Sequence, residues 1–266
     1  MDLHDYDDVA ENYDLYLDVM YKDVDNHEGF KDFYLDFAKE YGKDGVIDIA
    51  CGTGAVLLYL AEHGLYADGT DLSEAMCRVA AEKAKNKGFD LNIFPANMTD
   101  FKSDKKYSCA IIARSGFMHL ITPELQRKAL LNIRENLTEG GMLTFNTFDP
   151  NPIFQAEQMK TKDTDYSFRL EYTNNLGQRE KIYNAISYDP YTQIMSGNWK
   201  FETLDEKGNV TGERIRPLKM RQTYRREMEY LLELTGFEIV NVYGGYHKES
   251  GGVMGKNVIW CVRRSK

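Results

Sequence analysis

Cysteine is scarce in this chain, with four among 266 residues. Cys51, Cys77, Cys109 and Cys261 are far apart, and no C-x-x-C pair occurs. Each lies in or beside an apolar stretch, which argues for buried free thiols. Histidine is nearly as scarce, with five, and no metal-ligand cluster forms among these residues, so no metal is expected. No apolar run approaches the length that crosses a bilayer. The stretch Met1-Asp2-Leu3-His4-Asp5 has no apolar h-region. We therefore expect no signal peptide, no membrane partner and a cytoplasmic protein. Basic charge is not in excess either. With 33 Lys and Arg against 42 Asp and Glu the net charge is −9, which disfavours a nucleic-acid partner. Internal repeats and low-complexity tracts are also absent.

What is present is the material of a globular enzyme. The apolar fraction is 42%, ordinary for a chain with a packed core. The first 40 residues are rich in Tyr, Asp and Phe and predict one or two amphipathic helices. From Val46 the pattern alternates: a strand at 46–50, a helix near 54–63, a strand near 65–71. Ser73 then caps a helix with Met76, Val79, Ala80 and Ala84 on its apolar face. Strands follow at 91–95 and 107–113, and Thr122-Pro123 opens a helix through Asn136. Gly140-Gly141 is expected to end that unit before a strand from Met142 to Phe148. Such alternation predicts an α/β fold with a doubly wound, Rossmann-like parallel sheet.

The pattern breaks between about 165 and 221. Tyr166, Phe168, Leu170 and Tyr172 alternate with polar residues, and three similar runs follow, separated by turn chemistry at Asn174-Asn175-Leu176-Gly177, Asp189-Pro190 and Asp205-Glu206-Lys207-Gly208. This predicts an antiparallel β-meander inserted as a lid before a helix near 223–235 and strands at 238–243 and 257–263. The expected organisation is a helical cap at 1–40, a main domain at 41–150 and 222–266, and a lid or substrate subdomain at 151–221. Asp149-Pro150-Asn151-Pro152 reads as the lead-in to that lid.

The sharpest signal is Val46-Ile47-Asp48-Ile49-Ala50-Cys51-Gly52-Thr53-Gly54. Glycines between a strand and a helix let backbone approach a ligand where a Cβ would collide, and the helix start beyond offers free N–H groups. No third glycine follows at the dinucleotide spacing, where Leu57 stands, and no Gly-Lys-Ser/Thr marks a P-loop. Asp71 ends the next strand, placed to accept from ribose hydroxyls. Asn97 and Met98 offer an amide and a thioether to an adenine.

These residues resemble a class I S-adenosylmethionine-dependent methyltransferase. Asp48-x-Ala50-Cys51-Gly52-x-Gly54 is similar to the family's first motif, with Ala in place of its first Gly. Asp71 resembles the ribose acid and Asn97-Met98 the adenine-site pair. The resemblance spans about 46–150 and 223–266. Ser115-Gly116-Phe117-Met118-His119-Leu120 looks like the glycine N-methyltransferases, except that Ser115 replaces their Asn. Arg221-Gln222-Thr223-Tyr224 and Tyr243-Gly244-Gly245 look like the amino-sugar N-methyltransferases. The resemblance implies S-adenosylmethionine as cofactor and methyl transfer to a small-molecule acceptor, at an amine nitrogen, in a monomer or homodimer. An RNA or protein methyltransferase, or a cofactor-binding protein without catalysis, is the alternative.

The implied cofactor contacts are Tyr13, Asp48, Ala50, Cys51, Gly52, Gly54, Asp71, Leu72, Met76, Asn97, Met98 and Ala113. Tyr13, with Tyr6 and Tyr16 on the same segment, either meets the cofactor and reaction centre or packs a helix. His119, after the fourth strand, is a candidate base that deprotonates an acceptor, or a cap for the loop before Thr122. Arg114, Ser115 and His119 form the candidate acceptor site. Arg114 could hold an anionic group of the substrate or bridge to an acid on the N-terminal helix. Arg214, Arg216, Lys219, Arg221, Arg225 and Arg226 mark the lid's edge. We expect them to be solvated, with an anionic substrate as the other reading.

Overall fold

The computed structural model describes residues 6–7, 9–21, 29–250 and 257–265. The opening stretch Met1 to Asp5, read above for a leader, lies outside the described residues. In chain order the elements are α1 (Tyr13–Tyr21), α2 (Phe30–Tyr41), β1 (Val46–Ile49), α3 (Ala55–Glu62), β2 (Ala67–Asp71), α4 (Glu74–Asn86), β3 (Ile93–Pro95), β4 (Tyr107–Ile112), α5 (Pro123–Asn136), β5 (Leu137–Phe148) and α6 (Pro152–Gln158). Then come β6 (Ser167–Thr173), β7 (Arg179–Asp189), β8 (Ile194–Leu204), β9 (Val210–Arg221), α7 (Arg225–Leu234), β10 (Phe237–Tyr243) and β11 (Asn257–Arg264).

Seven strands form one sheet in the order β10-β11-β5-β4-β1-β2-β3. Pairs β3-β2-β1-β4-β5 run parallel, while β11 is antiparallel to both β5 and β10. The central strands read as apolar runs because helices cover both faces; all four residues of β1 are buried. The fold is thus the doubly wound Rossmann-like sheet that the alternation predicted. Strands β6-β7-β8-β9 form a separate antiparallel meander.

Several local expectations change. Gly140-Gly141 does not end the unit but lies inside β5. The pairing of β4 with β5 jumps from Tyr107–Leu137 to Cys109–Met142, so the glycines form a bulge, which Gly140 permits at φ +71°. The lead-in to the meander contains a helix, α6, that periodicity missed. Asn151 caps it by accepting from the Ile153 and Phe154 N–H groups, and Pro152 occupies its first turn. That Asn-Pro start was a readable signal. In β6 the register shifts between Phe168 and Leu170, so Phe168 leaves the apolar stripe and is exposed.

The two front helices do different work. Helix α2 packs Phe33, Tyr34, Phe37 and Ala38 into the layer that covers β1, β4 and β11, and so belongs with the main sheet rather than with a cap. Helix α1 and the segment before it pack Val9, Ala10, Tyr16 and Leu17 between α4 and the meander, against Met76, Val79, Leu170, Tyr172, Ile182 and Phe201. The meander therefore rests on the front of the chain. All four cysteines are free and buried. No described helix is long and apolar enough to cross a membrane.

Candidate active site

A cavity of about 400 Å³ opens beyond the carboxyl ends of β1, β2 and β4, the edge where open α/β sheets bind ligands. It is lined by thirteen of the residues nominated above: Tyr13, Asp48, Ala50, Cys51, Gly52, Asp71, Leu72, Met76, Asn97, Met98, Ala113, Arg114 and His119. Gly54 and Ser115 do not line it. Gly54 begins α3 at φ +85°, and a Cβ there would sit 3.3 Å from the Ala80 Cβ. It is needed where α3 packs on α4. Ser115 is buried by Asn146, whose Oδ1 accepts from the Ser115 N–H at 2.8 Å and whose Nδ2 donates to Ser115 Oγ at 2.9 Å. Those bonds fix the turn that carries Arg114.

The floor consists of backbone held in unusual conformations. Ala50, Arg114 and Ser115 all have positive φ, at 55°, 50° and 61°. Non-glycine residues in this region are costly and cluster at functional sites. Ala50 occupies the position of the family's first glycine, and its Cβ closes on Gly116, where an added Cβ would lie 3.0 Å away. Gly52, at φ +55°, has open space where its Cβ would be. Asp71 braces the turn: its Oδ2 accepts from the Gly52 N–H at 2.8 Å and its Oδ1 from the Ser73 N–H at 2.9 Å. Burial raises its pKa, against the pull of those backbone donors. Asn97 Oδ1 accepts from the Thr99 N–H at 3.0 Å. Met98, Leu120 and Leu125 supply an apolar slot beside it.

The roof is made by side chains of the front segment. Thr53 Oγ1 donates to Asp14 Oδ1 at 2.6 Å. Lys83 pairs with Asp14, and it reaches the Thr53 carbonyl at 3.2 Å. Arg78 pairs with Glu11 at 2.6 Å, and Ser73 donates to Asp7. Successive residues of α4 thus tie down successive residues of the front segment. Tyr6, Asp14, Leu17 and Thr53 join the lining in this way. Leu17 stands one helical turn after Tyr13, so the i,i+4 spacing could have found it. Nothing local in the sequence marks Asp14 or Thr53 as partners.

Charge in the cavity is polarised. Asp48 is buried, its Oδ1 lacks a hydrogen-bond partner, and burial with nearby Asp71 pushes its pKa up to about 8. At the other end, burial and then the Arg216 guanidinium push His119 down to about 4, while the Lys219 backbone pulls the other way. His119 is therefore neutral near pH 7. Its Nε2 lies 3.2 Å from the Tyr6 hydroxyl. Tyr6 meets Tyr13 edge-on at 5.9 Å, and Tyr13 meets Tyr16 at 5.5 Å. The Arg114 guanidinium lies 4.8 Å from the Phe30 ring centre.

The basic edge of β9 is not uniformly solvated. Lys219, Arg225 and Arg226 are exposed, but Arg216 and Arg221 are buried. Arg214 pairs with the buried Glu180 and Arg221 pairs with Glu227. The expectation of a solvated face fails for Arg216 and Arg221, which are buried, while Arg214 is half-buried on Glu180.

The donor groups suit a cationic nucleoside. An unpartnered buried carboxylate oxygen suits an ammonium, a carboxylate at the position of Asp71 suits hydroxyls, and tyrosine rings suit a sulfonium. Among the described residues no group of three His, Cys, Asp or Glu could hold a metal.

Residues 46–141 match a family model described as a methyltransferase domain. The chain is 29% identical over 148 residues to a putative methyltransferase of Geobacillus, covering 53% of this chain and 60% of that protein. It is 32% identical over 159 residues to a carboxy-S-adenosyl-L-methionine synthase of Campylobacter jejuni, covering 56% and 63%. The chain thus spans about three fifths of the length of these curated relatives. Among solved structures, the CcbJ methyltransferase of Streptomyces caelestis superposes with a TM-score of 0.78 at 21% identity over 100% of both chains. The sugar N-methyltransferase KedS8 of Streptoalloteichus gives 0.71 at 17% identity over 94% and 93%.

Proposed function

We propose that this chain is an S-adenosylmethionine-dependent methyltransferase that methylates a small-molecule acceptor at an amine nitrogen. The observation that carries the reading is the polarity of one cavity: the Asp48–Asp71 floor at one end, and neutral His119 beneath the tyrosines at the other. When bound, the cofactor supplies a methyl group already activated on a sulfonium. The protein's own tasks are alignment and exclusion of water, and alignment alone can lower a barrier by roughly 7–11 kcal/mol. Asp71 and Gly52 hold the ribose. Asp48 faces the ammonium. Tyr6, Tyr13 and the meander behind them keep water out. His119 is too weak a base to keep a proton near pH 7. Its unprotonated nitrogen instead accepts a hydrogen bond from the acceptor's N–H and aims the lone pair in line. The names of the structural neighbours, a sugar N-methyltransferase among them, support a small amine acceptor.

The test is direct. Purified chain is incubated with S-adenosylmethionine and a panel of small amines and alcohols, and S-adenosylhomocysteine is measured. Formation above background with an amine supports the reading. Turnover confined to alcohols overturns the choice of nitrogen, and a cofactor that binds without turnover on any acceptor overturns the enzymatic reading.

A further inference from the structure

The turn that follows β4 is held from behind by one side chain of β5. Arg114 and Ser115 stand side by side at φ +50° and +61°. Two successive non-glycine residues in this region are costly and persist only where their surroundings fix them. Asn146, which is buried, supplies the hold. Its Oδ1 accepts from the Ser115 N–H at 2.8 Å and from the Tyr34 hydroxyl at 3.4 Å. Its Nδ2 donates to Ser115 Oγ at 2.9 Å and to Asn257 Oδ1 at 3.2 Å. Both acceptor and both donor positions of the amide are thus engaged. Further along the same strand, the Phe148 N–H donates to Met118 Sδ at 3.3 Å. The Ser115 carbonyl accepts from the Met118 N–H at 2.9 Å, within the short helix Gly116–His119. On the cavity side Gly116 seats against Ala50 and Ile112, where an added Cβ would lie 3.0 Å from each. Arg114, Gly116 and His119 line the cavity, whereas Asn146 stands behind them.

Resting on the methyltransferase reading above, we propose that Asn146 is a positioning residue for the acceptor end of the cavity. It acts through Ser115. The amide holds the left-handed turn, the turn directs the short helix, and the helix sets where the His119 imidazole meets the acceptor's N–H. A displacement of about 1 Å at such a group can cost on the order of 100-fold in rate. The Gly52 turn is braced from β2 by Asp71, with no part taken by Asn146. Loss of the amide should therefore disturb the acceptor step and spare cofactor binding. Glycine takes a positive φ without steric cost, so a glycine at position 115 relieves the demand on Asn146.

NMR spectra of the full chain saturated with S-adenosylhomocysteine test this without turnover. The His119 ring lies edge-on to Tyr6 at 5.6 Å, so the Tyr6 ring current makes the His119 proton resonance report its place. His119→Gln identifies that resonance among the five histidines. Asn146→Ala is expected to shift it, with S-adenosylhomocysteine affinity by calorimetry unchanged. Thr144→Val is the control. Thr144 is buried on the same strand and contacts Cys261 Sγ, so its loss should lower Tm while the resonance stays in place. In turnover on an amine, Asn146→Ala should lower kcat roughly 10- to 100-fold, with KM for S-adenosylmethionine unaltered. Adding Ser115→Gly to Asn146→Ala should restore part of that kcat. Should Asn146→Ala fail to fold, Asn146→Asp decides by the same resonance and the same kcat. It keeps the acceptor for the Ser115 N–H and loses the donor to Ser115 Oγ. A resonance that does not move, a kcat unchanged while Tm falls, or a loss of cofactor affinity as large as the loss of kcat overturns the proposal. A resonance that moves in a chain that turns over no amine upholds the positioning and counts against the methyltransferase reading alone.

Discussion

The floor and the roof of the cavity are built by opposite strategies. The floor is backbone: strand ends, a glycine turn, three non-glycine residues at positive φ, and carboxylates that grip N–H groups. The roof is side chains: ion pairs from α4 and an edge-to-face run of tyrosines resting on the meander. A backbone floor holds one shape and suits a ligand that never changes. A roof of half-exposed ion pairs and rings opens at modest cost, because each exposed pair contributes only about 0.2–1 kcal/mol. The difference teaches that the floor is fixed by local backbone, whereas the roof is assembled from side chains of distant segments.

Removing Asp71 should damage the floor most. Asp71→Ala deletes the proposed ribose acceptor together with the observed brace on the Gly52 and Ser73 N–H groups. It should weaken cofactor binding by about 3 kcal/mol, the scale of hydrogen bonds to a charged group. Calorimetry with S-adenosylhomocysteine measures it, and unchanged affinity would refute the assignment.

At the junction of floor and roof, His119→Gln should lower kcat by about 10-fold or more, short of the 10²–10⁴ of full acid–base catalysis, and leave cofactor affinity unaltered. Because His119 titrates near 4, it should impose no change in kcat between pH 6 and 8. A kcat that climbs through pH 6.5 and loses that step in His119→Gln would overturn the low pKa.

Asp48 gives the floor a pH signature. Its carboxyl titrates near 8 when folded and near 3.9 in an unfolded chain. The folded state therefore binds the extra proton between these values. The stability that Asp48 contributes is complete below about pH 4 and is lost as pH rises towards 8. An ammonium seated on Asp48 lowers that pKa, so binding should release a proton below pH 8. Melting temperatures of ligand-free chain against pH should show the decline, and Asp48→Asn should flatten it. A wild-type profile that rises over this range contradicts the assignment.

The smallest effect belongs to the roof. Asp14→Asn breaks the pair with Lys83, whose partners are 43% and 31% exposed. It should weaken cofactor binding by about 0.5–1 kcal/mol, and less at high salt. A loss as large as that of Asp71→Ala would erase the contrast between floor and roof.

The same contrast explains what the sequence disclosed. The floor depends on short-range patterns: an acid inside an apolar strand, glycines at a turn, Ser73 and Thr122 as caps. Those are legible, and thirteen nominated residues meet in one cavity. Gly54 and Ser115 belong to the same motifs but serve packing and the turn, a distinction that only neighbours such as Ala80 and Asn146 reveal. The roof depends on which distant segments meet. Tyrosines near the front were visible as tyrosines, but their partners in β6, β8 and β9 were not. The inward arginines were misread for the same reason: a strand pattern gives alternation, not which face will be covered. The bulges at Gly140 and between Phe168 and Leu170 shift the register by local backbone conformation, which side-chain alternation does not encode.

The link from Tyr6 to His119 spans 113 positions, and the link from Tyr6 to Arg216 in β9 spans more. Contacts so distant along the chain carry a large loop-closure cost and form late. The sheet can assemble from neighbouring strand–helix units, but the acceptor side is completed only when the front segment docks between α4 and a finished meander. The floor should thus gain hydrogen-exchange protection before the roof during refolding.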